Sequence, residues 1–177
     1  MKTKLLSLLL TLLLATSFAG AQALAPAATT PTIDGAVQKG EYTVMQAPKG
    51  FWLGVSLSQD KSTLTLGLAS QTTGWIAIGL GSLKMNGSYI VIGYDKAGKQ
   101  VISEDKGVGH GHSPLGTHKV LKSIIKTANG QTSIEFSIPA ADYIKDGKLQ
   151  LILAAANTAD LISFHPKFAS LEIPVAK

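Results

Sequence analysis

The side chains best suited to holding a metal in this chain are four imidazoles and one loop methionine, and they fall into separate groups. His110, His112 and His118 lie within a glycine-rich stretch, Gly107 to His118. An H-x-H start with a third imidazole on the return can bind Zn or Cu. No acidic or sulfur ligand lies among them, and the glycines predict a mobile loop that loses entropy on closing around an ion. The other reading of the stretch is a solvent-exposed loop. Met85 follows Thr72-Thr73-Gly74-Trp75-Ile76-Ala77-Ile78-Gly79-Leu80-Gly81 and precedes Tyr89-Ile90-Val91-Ile92-Gly93-Tyr94. A thioether beside space cleared of side chains is either core filler or a soft metal ligand. His165 stands about 80 residues further on, near the end of the chain.

Other chemistry finds less support. G-x-S-x-G, H-E-x-x-H, P-loop and dinucleotide-binding glycine patterns are all missing, so no catalytic constellation is expected. The close carboxylates are Glu104-Asp105 and Asp34 with Glu41. Nothing marks either as two acids facing one bond across a cleft. Trp52, Trp75 and Tyr89 offer aromatic faces that can stack on sugar rings, which keeps a carbohydrate-binding module open.

The elements that must position these groups begin after a leader. Lys2 and Lys4 precede the apolar run Leu5 to Ala15, and Ala21-Gln22-Ala23 has the small-x-small pattern of signal-peptidase cleavage, so residues 1–23 read as a signal peptide and the chain as exported, periplasmic or secreted. No later run approaches the roughly 18 apolar residues of a membrane span. Leu24 to Pro31, rich in Ala, Pro and Thr, reads as a flexible lead-in, and residues 32–177 as one domain. All 16 basic residues are lysine. Two lie in the leader, leaving 14 against 11 acidic residues, a net charge of +3. That is too mild and scattered for nucleic acid. With no arginine, the bidentate fork that usually clamps carboxylate or phosphate is missing. With no cysteine, disulfides, Fe–S clusters and covalent haem attachment are excluded.

Within the domain the hydrophobic period is two. Phe51/Leu53/Val55/Leu57 and Leu64/Leu66/Leu68 alternate on either side of a Ser58–Ser62 turn, which predicts a hairpin. Trp75/Ala77/Gly79 share one face of the next strand and Ile76/Ile78/Leu80 the other. A turn at Asp95 to Gly98 leads to a short strand over Gln100 to Ser103. Asn129-Gly130 joins strands over Lys119 to Ile125 and Thr132 to Ile138. One helical turn is expected within Pro139 to Asp146, then strands over Leu149 to Ala155 and Phe168 to Val175. Eight to ten short strands with no long helix predict an all-β, antiparallel β-sandwich of immunoglobulin-like type.

In this order, the segments resemble the DOMON family of haem- and sugar-binding β-sandwich domains. The resemblance rests on Thr73-Gly74-Trp75, the small and aliphatic run to Gly79, the Met85 loop and the following aliphatic strand. Thr32-Ile33-Asp34-Gly35 with Gly40-Glu41-Tyr42 is similar to the entry of bacterial members, and Leu149 to Ala156 with Ser163-Phe164-His165-Pro166 to their closing strands. Coverage runs from Thr32 to Val175, and Pro114 with Leu115-Gly116-Thr117 matches the family imperfectly. The resemblance implies a non-covalent haem b with Met85 and His165 as axial ligands. It also implies single-electron transfer with a separate redox partner protein, since two axial side chains leave no open iron position.

Overall fold

The computed structural model describes residues 22–177. Residues 1–21, which hold most of the expected signal peptide, lie outside the described residues. Among the described residues there are thirteen strands: β1 (Pro26–Ala27), β2 (Val44–Gln46), β3 (Trp52–Ser58), β4 (Thr63–Ser70), β5 (Ile76–Leu80), β6 (Tyr89–Lys96), β7 (Lys99–Val108), β8 (Gly111–Pro114), β9 (Lys122–Ala128), β10 (Gln131–Pro139), β11 (Ile144–Lys145), β12 (Lys148–Ala155) and β13 (Lys167–Pro174). They form two sheets, one ordered β1-β3-β4-β10-β9 with β2 also on β3, the other β11-β12-β5-β6-β7-β8 with β13 also on β12. Pairing is antiparallel except where β1 runs parallel to β3, and this is the expected all-β sandwich.

Side-chain alternation sets the layers. Leu53, Val55 and Leu57 of β3, Ile134 and Phe136 of β10, Ile76, Ile78 and Leu80 of β5, and Leu151 and Leu153 of β12 meet between the sheets in one core. The outer face of the first sheet is closed by the stretch 31–42. Tyr42 lies over Gly54 and Gly67, where any Cβ would come within 2.4 Å of its ring or hydroxyl. Its hydroxyl donates to the buried Glu135 carboxylate, which also accepts from the amides of Asp34, Gly35 and Ala36. The outer face of the second sheet carries a separate apolar cluster, Trp75, Ala77, Ile90, Ile92 and Ala156.

Three local expectations need correction. Leu24 to Pro31 is bound chain rather than a flexible lead-in: Leu24 is fully buried, its N–H donates to Pro174 O at 2.7 Å, and β1 pairs with Leu57 and Ser58. The segment therefore passes from the end of one sheet to the edge of the other. The helical turn expected within Pro139 to Asp146 is present as one hydrogen-bonded turn, Ala140 to Ile144, with Tyr143 and Ile144 donating to Ala140 O before β11 begins, and a 3-10 turn lies at Pro48–Gly50. β7 is ten residues long rather than four and continues through Glu104, Asp105 and Gly107. The expected mobile loop from Gly107 is the tip and return of a β7–β8 hairpin, with Gly107 opposite His112.

Candidate ligand-binding site

On the outer face of the second sheet, small residues leave a hollow. Ala77 and Gly79 of β5 and Ala154 of β12 lie between the larger Ile90, Ile92 and Ile152, and together they floor a cavity of about 440 Å³. One wall is the Met85 loop, another the hairpin tip with His110, Gly111 and His112, and a third the segment Leu161 to His165. The volume and the aliphatic lining are those of a small-molecule or cofactor site.

The Met85 wall is built from main-chain bonds to β7. Gly107 N–H donates to Ser88 O at 2.9 Å and Gly87 N–H to Gly107 O at 3.0 Å. Ser88 N–H donates to Met85 O, and Gly109 N–H to Asn86 Oδ1 at 3.0 Å. The approach is so close that a Cβ on Gly107 would sit 1.8 Å from Met85 O.

Trp75 holds the opposite wall. Its indole Nε1–H donates to Ser163 Oγ at 3.0 Å and faces Ser163 O at 3.2 Å, while its main chain bonds Thr158 O and Ala156 N. Asp160 Oδ1 accepts from the amides of Ile162 and Ser163, and these bonds hold its carboxyl below the usual range. His165 follows, its ring stacked on Phe164 at 5.5 Å and edge-on to Trp75 at 5.8 Å and Phe168 at 6.0 Å. Its Nδ1 is buried with no hydrogen-bond partner among the described residues. An unpaired buried imidazole nitrogen is costly.

The three clustered histidines do not form one site. Among the described residues no group of three or more His, Asp or Glu side chains is disposed to hold a metal. His110 and His112 line the cavity. His118 turns instead to Glu104 on the other face of β7, Nδ1 to Oε1 at 3.0 Å. Glu104 is 7% exposed and also accepts from the Tyr89 hydroxyl and the amides of Lys119 and Val120. Burial pushes its carboxyl up, but these donors outweigh it and hold the group below the usual glutamate value. The aromatic platform does not assemble either. Trp75 is 3% exposed and committed to Ser163, and Tyr89 is committed to Glu104.

Met85 and His165, far apart in sequence, thus line one cavity together with His110 and His112. The contact that sequence reasoning missed is His112 with Asp105, Nδ1 to Oδ2 at 2.5 Å. No protein-family model and no curated protein matches the chain. Among solved structures, it is similar to the cytochrome domain of Myriococcum thermophilum cellobiose dehydrogenase, at 16% identity and a TM-score of 0.56 over 71% of this chain and 75% of that one. It is also similar to the cytochrome b domain of pyranose dehydrogenase from Coprinopsis cinerea, at 16% identity and a TM-score of 0.57 over 73% and 78%. The chain shares the fold of these cytochrome domains. No helix among the described residues is long and apolar enough to cross a membrane.

Proposed function

We propose that this chain is an exported b-type haem protein that passes single electrons to a separate redox partner and catalyses no reaction of its own, with Met85 and His165 as the axial ligands. The observation that carries the reading is that a thioether and an imidazole about 80 residues apart line one aliphatic cavity, in a fold shared with solved cytochrome domains. The residues present fit the group. Bound haem supplies a one-electron couple, and a methionine ligand favours its ferrous state. Ala77 and Ala154 keep the floor clear, and the walls offer aliphatic contact to a flat apolar ligand. Trp75, Phe164 and Phe168 fix the His165 ring. Without cysteine the attachment is non-covalent. The leader at residues 1–23 supports export to the periplasm or outside the cell.

The test is the visible spectrum of protein produced with haem available. A Soret band, sharp α and β bands on reduction, and extraction of the pigment into acidified organic solvent are expected. Met85→Ala retains haem but turns high-spin with a lower potential, whereas His165→Ala loses most of it. A colourless protein that takes up no added haemin overturns the reading and favours a carbohydrate-binding module. A six-coordinate spectrum that survives His165→Ala but not His110→Ala moves the axial ligand to the hairpin.

A further inference from the structure

The cavity is lined by few polar side chains, and each has a different status. Ser163 is taken by Trp75, and His165 belongs to the aromatic wall. His110 sits on the hairpin tip, exposed to solvent. His112 is the one with a built support. Its Nδ1 lies 2.5 Å from Asp105 Oδ2, its side chain is 22% exposed, and that of Asp105 only 2%. The other Asp105 oxygen accepts from Ser103 Oγ. An ionised carboxylate only accepts, so this contact assigns a proton to Nδ1 and leaves Nε2 as the free nitrogen of a ring on the cavity wall.

The strand register explains why the pair faces the cavity. Asp105 is opposite Ile90, Gly107 is opposite His112, and Ile90 is on the cavity floor, so all of these point to the outer face. Met85 packs over Gly107, which puts His112 on the methionine side of the cavity, across from His165. No lysine lines the cavity, and the chain has no arginine. An anionic group at the mouth of an apolar site needs a hydrogen-bond donor, and with lysine and arginine missing from the lining the imidazole is the side chain there that can supply a charged one.

We infer that His112, oriented by Asp105, anchors a carboxylate of the ligand in this cavity; resting on the haem reading, that carboxylate is a propionate. With protons on both nitrogens the ring donates Nδ1–H to Asp105 and Nε2–H to the ligand. The same contact selects which edge of an amphiphilic ligand sits at the β7–β8 hairpin, so His112 is a positioning residue rather than an iron ligand.

The experiment is a two-by-two titration of the apo-protein, wild type and His112→Gln, with haemin and with haemin dimethyl ester, followed by the Soret band and by quenching of tryptophan fluorescence. A hydrogen bond to a charged group corresponds to an affinity change of about tenfold or more. Wild type is expected to bind the diester about tenfold more weakly than haemin. His112→Gln is expected to lose about tenfold for haemin and almost nothing further for the diester. Asp105→Asn should fall between the two proteins for haemin. Equal wild-type affinity for haemin and diester overturns the anchor without any variant being needed. So does a His112→Gln loss that multiplies with the diester loss, since independent effects mean different contacts. If wild type binds neither compound, the haem reading fails and the anchor with it, whereas haem binding with independent losses removes the anchor alone.

Discussion

Replacing Gly107 by alanine tests whether the Met85 wall is built as described. The added Cβ would lie 1.8 Å from Met85 O and 2.8 Å from Met85 C, both main-chain atoms that no rotamer change can move aside. Ordinary contact begins at 3.4 Å, so the loop must retreat by about 1.6 Å. The bonds Gly107 N–H to Ser88 O and Gly87 N–H to Gly107 O, now 2.9 and 3.0 Å, do not survive such a shift. Two lost bonds at about 1 kcal/mol each, with about 1 kcal/mol of loosened packing around Met85, give a destabilisation of about 3 kcal/mol. For a domain of this size that lowers Tm by about 6–12 °C. Gly116→Ala is the control, because a Cβ there meets nothing within 4 Å and the change should stay within about 0.5 kcal/mol. The assay is thermal and guanidinium unfolding of both variants, paired with haemin uptake. A Gly107→Ala protein that melts with wild type and takes up haemin with an unchanged low-spin spectrum would refute the close approach of loop and strand.

Two further perturbations follow from the same structure. Glu104 is held below its ordinary value, so it contributes stability above about pH 4.5 that is lost as pH falls through its folded value; Glu104→Gln should lower Tm at neutral pH and flatten the acid limb below about pH 4.5, and parallel limbs would show that the network carries no such linkage. Leu24→Ala should cost about 2–4 kcal/mol, as a fully buried leucine, measured by guanidinium unfolding, and a neutral result would return the segment to a loose lead-in.

The alternation of Leu53, Val55 and Leu57 and of Ile76, Ile78 and Leu80 was readable because each strand has one face on the inter-sheet core. The clear outer face of Trp75, Ala77 and Gly79 was readable for the same reason, and it became the cavity floor. β7 was misread because Glu104, Asp105 and Lys106 give no apolar period; the burial of Glu104 and Asp105 comes with partners in Tyr89, His112 and the amides of Lys119 and Val120. The His112 support stayed hidden for a related reason. Asp105 stands outside the glycine-rich stretch, and only the β7–β8 register folds it back on the imidazole. Leu24 to Pro31 was misread from composition, since Ala, Pro and Thr do not announce pairing with Pro174 O and Leu57.

The neighbouring carboxylates of β7 have a consequence for how the chain finds its fold. Near a sheet edge, a strand with few apolar residues is free to slip, and a one-residue slip exchanges its two faces. Here such a slip would send Asp105, one methylene shorter, toward Tyr89 and the amides that Glu104 now reaches, and Glu104 toward His112. It would also bring Lys106 or Val108 beneath the main chain of Met85, where only a residue without Cβ fits. The misaligned hairpin is thus penalised on both faces at once, and β7 proofreads its own alignment with polar groups where other strands use hydrophobic ones.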